Sequence, residues 1–219
     1  PTNTSTLLIR LKRGEGPNGV VLLPDGKPAE GATVIYAASQ EQFGLHGRTL
    51  RTYGRREGQQ STGKDGKFAF PIRARGVMVY VAHPSGWAEE SVERGGDDLK
   101  LRLRPWATLT GVLQHANGTL AAGVELSLTV PSDWRHGEPH INIQGRIATD
   151  AQGRFQFTDV PPRRVEVQRI VPMNPGTWSY RLQTWLLAQP GITNELGTVT
   201  YDQPPPLPAL EQLRQRLGL

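Results

Sequence analysis

Two stretches of this chain repeat one another about ninety residues apart, and that repeat limits the fold more than any other feature. Gly19-Val-Val-Leu-Leu-Pro-Asp-Gly26-Lys-Pro-Ala-Glu-Gly31-Ala-Thr-Val aligns without gaps on Gly111-Val-Leu-Gln-His-Ala-Asn-Gly118-Thr-Leu-Ala-Ala-Gly123-Val-Glu-Leu, an offset of 92. Further on, Thr62-Gly-Lys-Asp-Gly66-Lys-Phe68-Ala-Phe70 aligns on Thr149-Asp-Ala-Gln-Gly153-Arg-Phe155-Gln-Phe157, an offset of 87. One internal loop is therefore five residues longer in the first copy. A repeat of this period signals two units of one kind. A chain of 219 residues has room for two domains of about a hundred residues, each with its own core.

The local pattern is that of short strands. Val124, Leu126, Leu128 and Val130 alternate with Glu125, Ser127 and Thr129, as expected of antiparallel sheet with one dry and one wet side. Ala32, Val34 and Tyr36 share one face of a first-copy strand, and Val77, Val79 and Val81 another. Leu99, Leu101 and Leu103 form a further alternating run, and a weaker strand is expected near Leu196 to Val199. Phe68 and Phe70, like Phe155 and Phe157, point to one side and are expected in the core. With 25 Gly and 18 Pro, the chain has turn residues in plenty. Residues 38–61 show no period and read as a long loop. The expected fold is all-β: two tandem Greek-key β-sandwiches over 18–105 and 106–203.

Both ends of the chain stand apart from these units. Leu7, Ile9 and Leu11 lie 92 residues before Leu99, Leu101 and Leu103, so residues 1–17 read as the last strand of a preceding repeat or a linker. At the other end, Pro204-Pro205-Pro206 is a stiff spacer. Pro208 with Leu210, Leu213 and Leu217 then favours a short helix within 204–219. The chain opens at Pro1 and is expected to be a piece of a longer protein.

The pattern Gly-x-Val-x(3)-Asp25-Gly26-Lys27-Pro28-x-x-Gly31-Ala-x-Val, followed by Thr62-x-x-x-Gly66-Lys-Phe68-x-Phe70, resembles the carboxypeptidase regulatory-like domains. These are transthyretin-like (prealbumin-like) sandwiches, often strung in tandem in large bacterial proteins. The second copy departs from the pattern at Asn117, Thr119-Leu120, Val124 and Gln152 but keeps its turn chemistry. The resemblance implies an accessory, non-catalytic module and carries no site residues to transfer. It also implies an exported location: extracellular, periplasmic or at the cell surface.

The chemistry-bearing residues point the same way. There are no cysteines, which excludes disulfides, thiolate metal sites and cysteine nucleophiles. A net charge of +5, spread along the chain, argues for no nucleic-acid partner. No run approaches the roughly twenty apolar residues of a transmembrane helix. Among His46, His83, His115, His136 and His140, the pair in Asp133-Trp-Arg-His136-Gly-Glu-Pro-His140 has chelating spacing, but Gly137 and Pro139 oppose a helix there. His83-Pro-Ser85-Gly-Trp87 reads as a turn, and Gly54-Arg-Arg-Glu-Gly58 lacks the ending of a phosphate loop. Asn3 and Asn117 head chance glycosylation patterns.

Arg48, Arg51, Arg55 and Arg56, with His46 and Tyr53, suggest either a contact for an acidic partner or a hydrated loop, the latter preferred. Of the five tryptophans, Trp106 is expected at an interdomain or core position and Trp134 in an exposed loop. Trp87, Trp178 and Trp185 are expected in the core or an interface.

No catalytic, metal or cofactor residue is expected, and the ligand-binding residues stay unassigned. The expected role is domain spacing or interaction with other domains of the same polypeptide or another protein. A carbohydrate-binding module is the first alternative and a β-sandwich hydrolase the second. Folding is expected to need no metal: excess chelator should leave the melting temperature unchanged. A drop that calcium or zinc restores would reveal a site around Asp133 to His140.

Overall fold

A computed structural model describes residues 14–53, 58–73, 75–92, 98–132, 137–174 and 177–201. The first half carries β1 (Glu15–Leu22), β2 (Thr33–Ala38), β3 (Gln42–His46), β4 (Thr49–Thr52), β5 (Gln59–Ser61), β6 (Lys67–Pro71), β7 (Gly76–His83), β8 (Gly86–Ser91) and β9 (Asp98–Arg102). The second carries β10 (Ala107–His115), β11 (Glu125–Thr129), β12 (His140–Gln144), β13 (Arg146–Ala148), β14 (Arg154–Val160), β15 (Arg164–Asn174), β16 (Thr177–Leu187) and β17 (Thr193–Tyr201).

Four of the five sheets form two sandwiches of the same topology. Sheet β6-β1-β9 packs on β5-β2-β7-β8, and sheet β14-β10-β17 packs on β13-β11-β15-β16. In each three-stranded sheet the central strand pairs antiparallel with the phenylalanine strand and parallel with the strand that closes the unit. Register repeats as well: Gly19 lies opposite Phe68, and Gly111 opposite Phe155. The all-β, two-sandwich expectation holds. Phe68, Phe70, Phe155 and Phe157 are all buried.

The repeated motif residues hold the turns. Thr62 Oγ1 accepts from Ala32 N at 2.9 Å and donates to Ala29 O; Thr149 Oγ1 accepts from Val124 N at 2.9 Å and donates to Ala121 O. These hydroxyls are buried and tie the Gly31 and Gly123 turns to the β5–β6 and β13–β14 connections. Asp25 and Asp65 each accept the backbone N–H two residues on, and those bonds hold both carboxyls below the usual carboxylate range. In the second copy Asn117 takes the part of Asp25, while Asp150 accepts from both Gln152 N and Arg154 N. The turn acid has therefore moved two places rather than been lost at Gln152. Gly66 and Gly153 sit at φ of +71° and +68°, and a side chain on either would meet the carbonyl of Val21 or Leu113.

Residues 38–61 correct the loop expectation. The described residues of this stretch form the hairpin β3–β4 and the short strand β5, with Phe43, Leu45 and Leu50 fully buried. The outer hairpin strands β8 and β16 also went unforeseen in the sequence pattern. The strand at Leu7 to Leu11, the proline spacer and the helix at Pro208 lie outside the described residues.

Because the four phenylalanines pack between sheets, Phe68→Ala and Phe155→Ala should each cost on the order of 3–5 kcal/mol. Chemical denaturation measures this, and an unchanged midpoint for either would contradict the shared core role.

Candidate functional site

The fifth sheet joins the two sandwiches. Hairpin β3–β4 comes from the first copy, and β12, which comes from the matching loop of the second, pairs in parallel with β3. Ile141 lies opposite Phe43 and Ile143 opposite Leu45; Phe43, Leu45 and Ile141 are buried. The pairing begins where His140 N donates to Glu41 O at 2.8 Å. Glu41 is itself fixed: its carboxylate accepts from Ala38 N at 2.7 Å and pairs with Arg73 at 2.9 Å.

Beneath this sheet the central strands of β5-β2-β7-β8 are dry on both faces. Val34, Tyr36, Val79 and Val81 face the core of the first sandwich, while Ile35, Ala37, Tyr80, Ala82 and Trp87 belong to a cluster continuous with the core of the second. A chain of rings crosses the junction. Phe43 lies 4.9 Å from Tyr80, Tyr80 is 5.9 Å from Trp87, and Trp87 is 5.9 Å from Trp106. Trp106 Nε1 donates to His83 O at 2.8 Å, so the interdomain expectation for Trp106 is met.

Polar contacts frame the apolar centre. Arg163 donates to Glu89 at 2.7 Å, both side chains being largely buried. Arg48 donates to Asp159 at 2.7 Å and to Pro84 O at 2.8 Å. Arg48 lies in the β3–β4 turn with half of its side chain in water, as the hydrated-loop reading expects, and it also bridges the two copies through Asp159. Arg51 is exposed on β4, while Arg55 and Arg56 lie outside the described residues.

Among the described residues the histidines are dispersed. His140 bonds Ser132 and Asn142, each at 2.9 Å; His83 accepts from Ser85 N at 3.1 Å; His115 packs on the Tyr201 ring. His136 is outside the described residues, as are Asp133 and Trp134. Trp178 and Trp185 correct the expectation of burial. They are 47% and 55% exposed, with Tyr180 at 51% between them, and Arg146 and Arg164 lie over the two indoles at 5.0 and 4.6 Å.

No family model and no curated protein matches the sequence. Among solved structures, the chain is similar to the minor pilin of Streptococcus agalactiae, with 12% identity over 89% of this chain and all of that one, at a TM-score of 0.42. It is also similar to a streptococcal ancillary pilin, with 10% identity over 87% of this chain and 62% of that one, at a TM-score of 0.40. The shaft pilin of Lactobacillus rhamnosus gives 10% identity over 90% of this chain and all of that one, at a TM-score of 0.32.

Burial at the junction pushes the Tyr80 hydroxyl up to about 12 from its ordinary 10, with Arg163 opposing the shift and Glu89 adding to it. A raised acid favours the folded state while neutral, so this stabilisation is complete below pH 10 and is lost as pH climbs towards 12. Between about pH 9 and about pH 12 the chain should lose on the order of 2 kcal/mol through Tyr80, and Tyr80→Phe should remove that part of the loss. Denaturation midpoints of the two proteins across this range measure it. Identical alkaline profiles would count against the buried phenol.

Proposed function

We propose that the chain is a non-catalytic structural and interaction module that holds two β-sandwiches, 18–105 and 106–203, in one fixed relation. It belongs to a larger bacterial protein, exported and displayed outside the cytoplasm, and its partners are other domains of that protein or a second protein. The observation that carries the reading is the shared sheet β12-β3-β4 over a continuous apolar core. Domains that merely follow one another on a flexible linker bury little surface together and move independently. Here the longer loop of one copy is spent on a hairpin that pairs with the other, which suits transmission of position or force rather than turnover.

The family resemblance supports the accessory role. The Asp25-Gly26 turn, the buried hydroxyls of Thr62 and Thr149 and the paired phenylalanines are scaffold features in both copies. A carboxypeptidase regulatory-like assignment accounts for all of them together.

The test is rigidity. Residual dipolar couplings from the two sandwiches of the full chain should fit a single alignment tensor, and thermal unfolding should be one cooperative transition. Replacing Phe43 and Ile141 together by Asp should split the tensors while each sandwich keeps its own fold. Two independent tensors in the unaltered chain would overturn the proposal.

A further inference from the structure

The duplication allows the outer faces of the two large sheets to be compared position by position. In the first sandwich Ile35, Ala37 and Tyr80 are buried in one cluster with Phe43, Leu45 and Leu50, and Trp87 is buried in the same cluster between Tyr80 and Trp106. The offset of 92 takes Ile35 to Ser127 and Ala37 to Thr129. Cross-strand pairing extends the equivalence. Tyr80 lies opposite Ile35, and Gln168 lies opposite Ser127; Trp87 lies opposite Ala82, and Tyr180 opposite Ile170. Positions that are apolar and covered in one copy thus carry two hydroxyls, an amide and an open phenol in the other.

The cover differs too. The first sandwich is roofed by the hairpin β3–β4, whereas the second contributes β12, which turns away to pair with β3. What remains is a cleft of about 350 Å³ lined by Ser127, Thr129, Asn142, Arg146, Gln168 and Tyr180. Trp178, on the same face of β16 two residues before Tyr180, stands at its rim with Arg146 against it.

Neutral hydroxyl and amide groups on a floor match a ligand rich in hydroxyls. Open aromatic rings at the edge match the apolar C–H faces of sugar rings. A nucleic acid would call for several phosphate contacts, and a single arginine lines the cleft. The volume lies at the small end of ordinary ligand sites, which suits a short segment. We propose that this cleft binds a short saccharide segment. Tyr180 and Trp178 stack on its rings, and Ser127, Thr129, Asn142 and Gln168 bond its hydroxyls. The lining comes from the second copy, with Asn142 on β12 of the shared sheet, so the Tyr180 and Trp178 variants test the cleft separately from the rigidity of the two sandwiches.

The experiment is a titration of the isotopically labelled full chain with cellohexaose, chitohexaose, maltohexaose and mannohexaose, followed by backbone amide shifts. At least one should give saturable shifts at Ser127, Thr129, Asn142, Gln168 and Tyr180. Tyr180→Ala should weaken that binding by about tenfold or more, and Trp178→Ala, at the exposed rim, should act in the same direction. Tyr53→Ala, an exposed ring on the first sandwich, should leave the affinity unchanged. The proposal fails if none of the four oligosaccharides moves these amides, or if both rim variants bind as the unaltered chain does. It fails equally if sedimentation shows a concentration-dependent dimer that Tyr180→Ala abolishes, because the face would then be a protein interface.

Discussion

The burial of both faces of the sheet β5-β2-β7-β8 is the constraint on which the rest of the molecule depends. Its central strands read as nearly unbroken apolar runs, Val34 to Ala37 in β2 and Val79 to Ala82 in β7, and all eight of these residues are buried. Such strands need cover on two sides, as parallel sheets in layered folds do. The three-stranded sheet supplies one side. The other is supplied jointly by the hairpin β3–β4 and the second sandwich, so neither the inserted hairpin nor the domain order is incidental. A first sandwich alone would expose Tyr80 and Trp87 as part of an apolar patch of the kind that drives association.

That dependence also explains the placement of charge. Arg163 and Glu89 meet at 2.7 Å where both are largely removed from water, and Arg48 reaches Asp159 at the better hydrated margin. A buried pair offers little net stability against its desolvation, but breaking it leaves an unpaired charge in a dry place. Its effect is to penalise any other relative placement of the two sandwiches. The apolar rings provide attraction, and the ion pairs select one arrangement among the attractive ones.

The alternating strands were legible in the sequence because their pattern is local, and the repeat because both copies keep the same short motifs. Phe68 with Phe70 and Phe155 with Phe157 could be assigned to cores, and the turns at Gly26 and Gly66 could be placed, from neighbours within a few positions. The hairpin β3–β4 was not legible. Phe43, Gly44 and Leu45 are buried together, so a five-residue strand with polar ends shows no period of two. Its partner, β12, lies almost a hundred residues further on, and pairing at that range leaves no local signature. The bridge from Arg48 to the second copy leaves no local signature either, since its acid is Asp159. Trp178 and Trp185 depart from the general tendency of large rings to lie inside.

Strand β16 shows how that tendency fails. Among the described residues it is an edge strand of eleven residues, long for an edge, and its exposed rings invite pairing with another chain. Residues seven apart should fall on opposite faces of a regular strand. The register shift between Val167 and Gln168 inserts one extra residue in β16, and this puts Trp178, Tyr180 and Trp185 on the same outward side. Bulges increase local twist, and a twisted edge is a poor template for a straight incoming strand. The arginines over Trp178 and Trp185 add charge to the same surface. The second sandwich thus keeps a broad aromatic face open and guards it against indiscriminate strand pairing. The first copy, at the equivalent face, needs no such protection because the hairpin and the second sandwich already cover it.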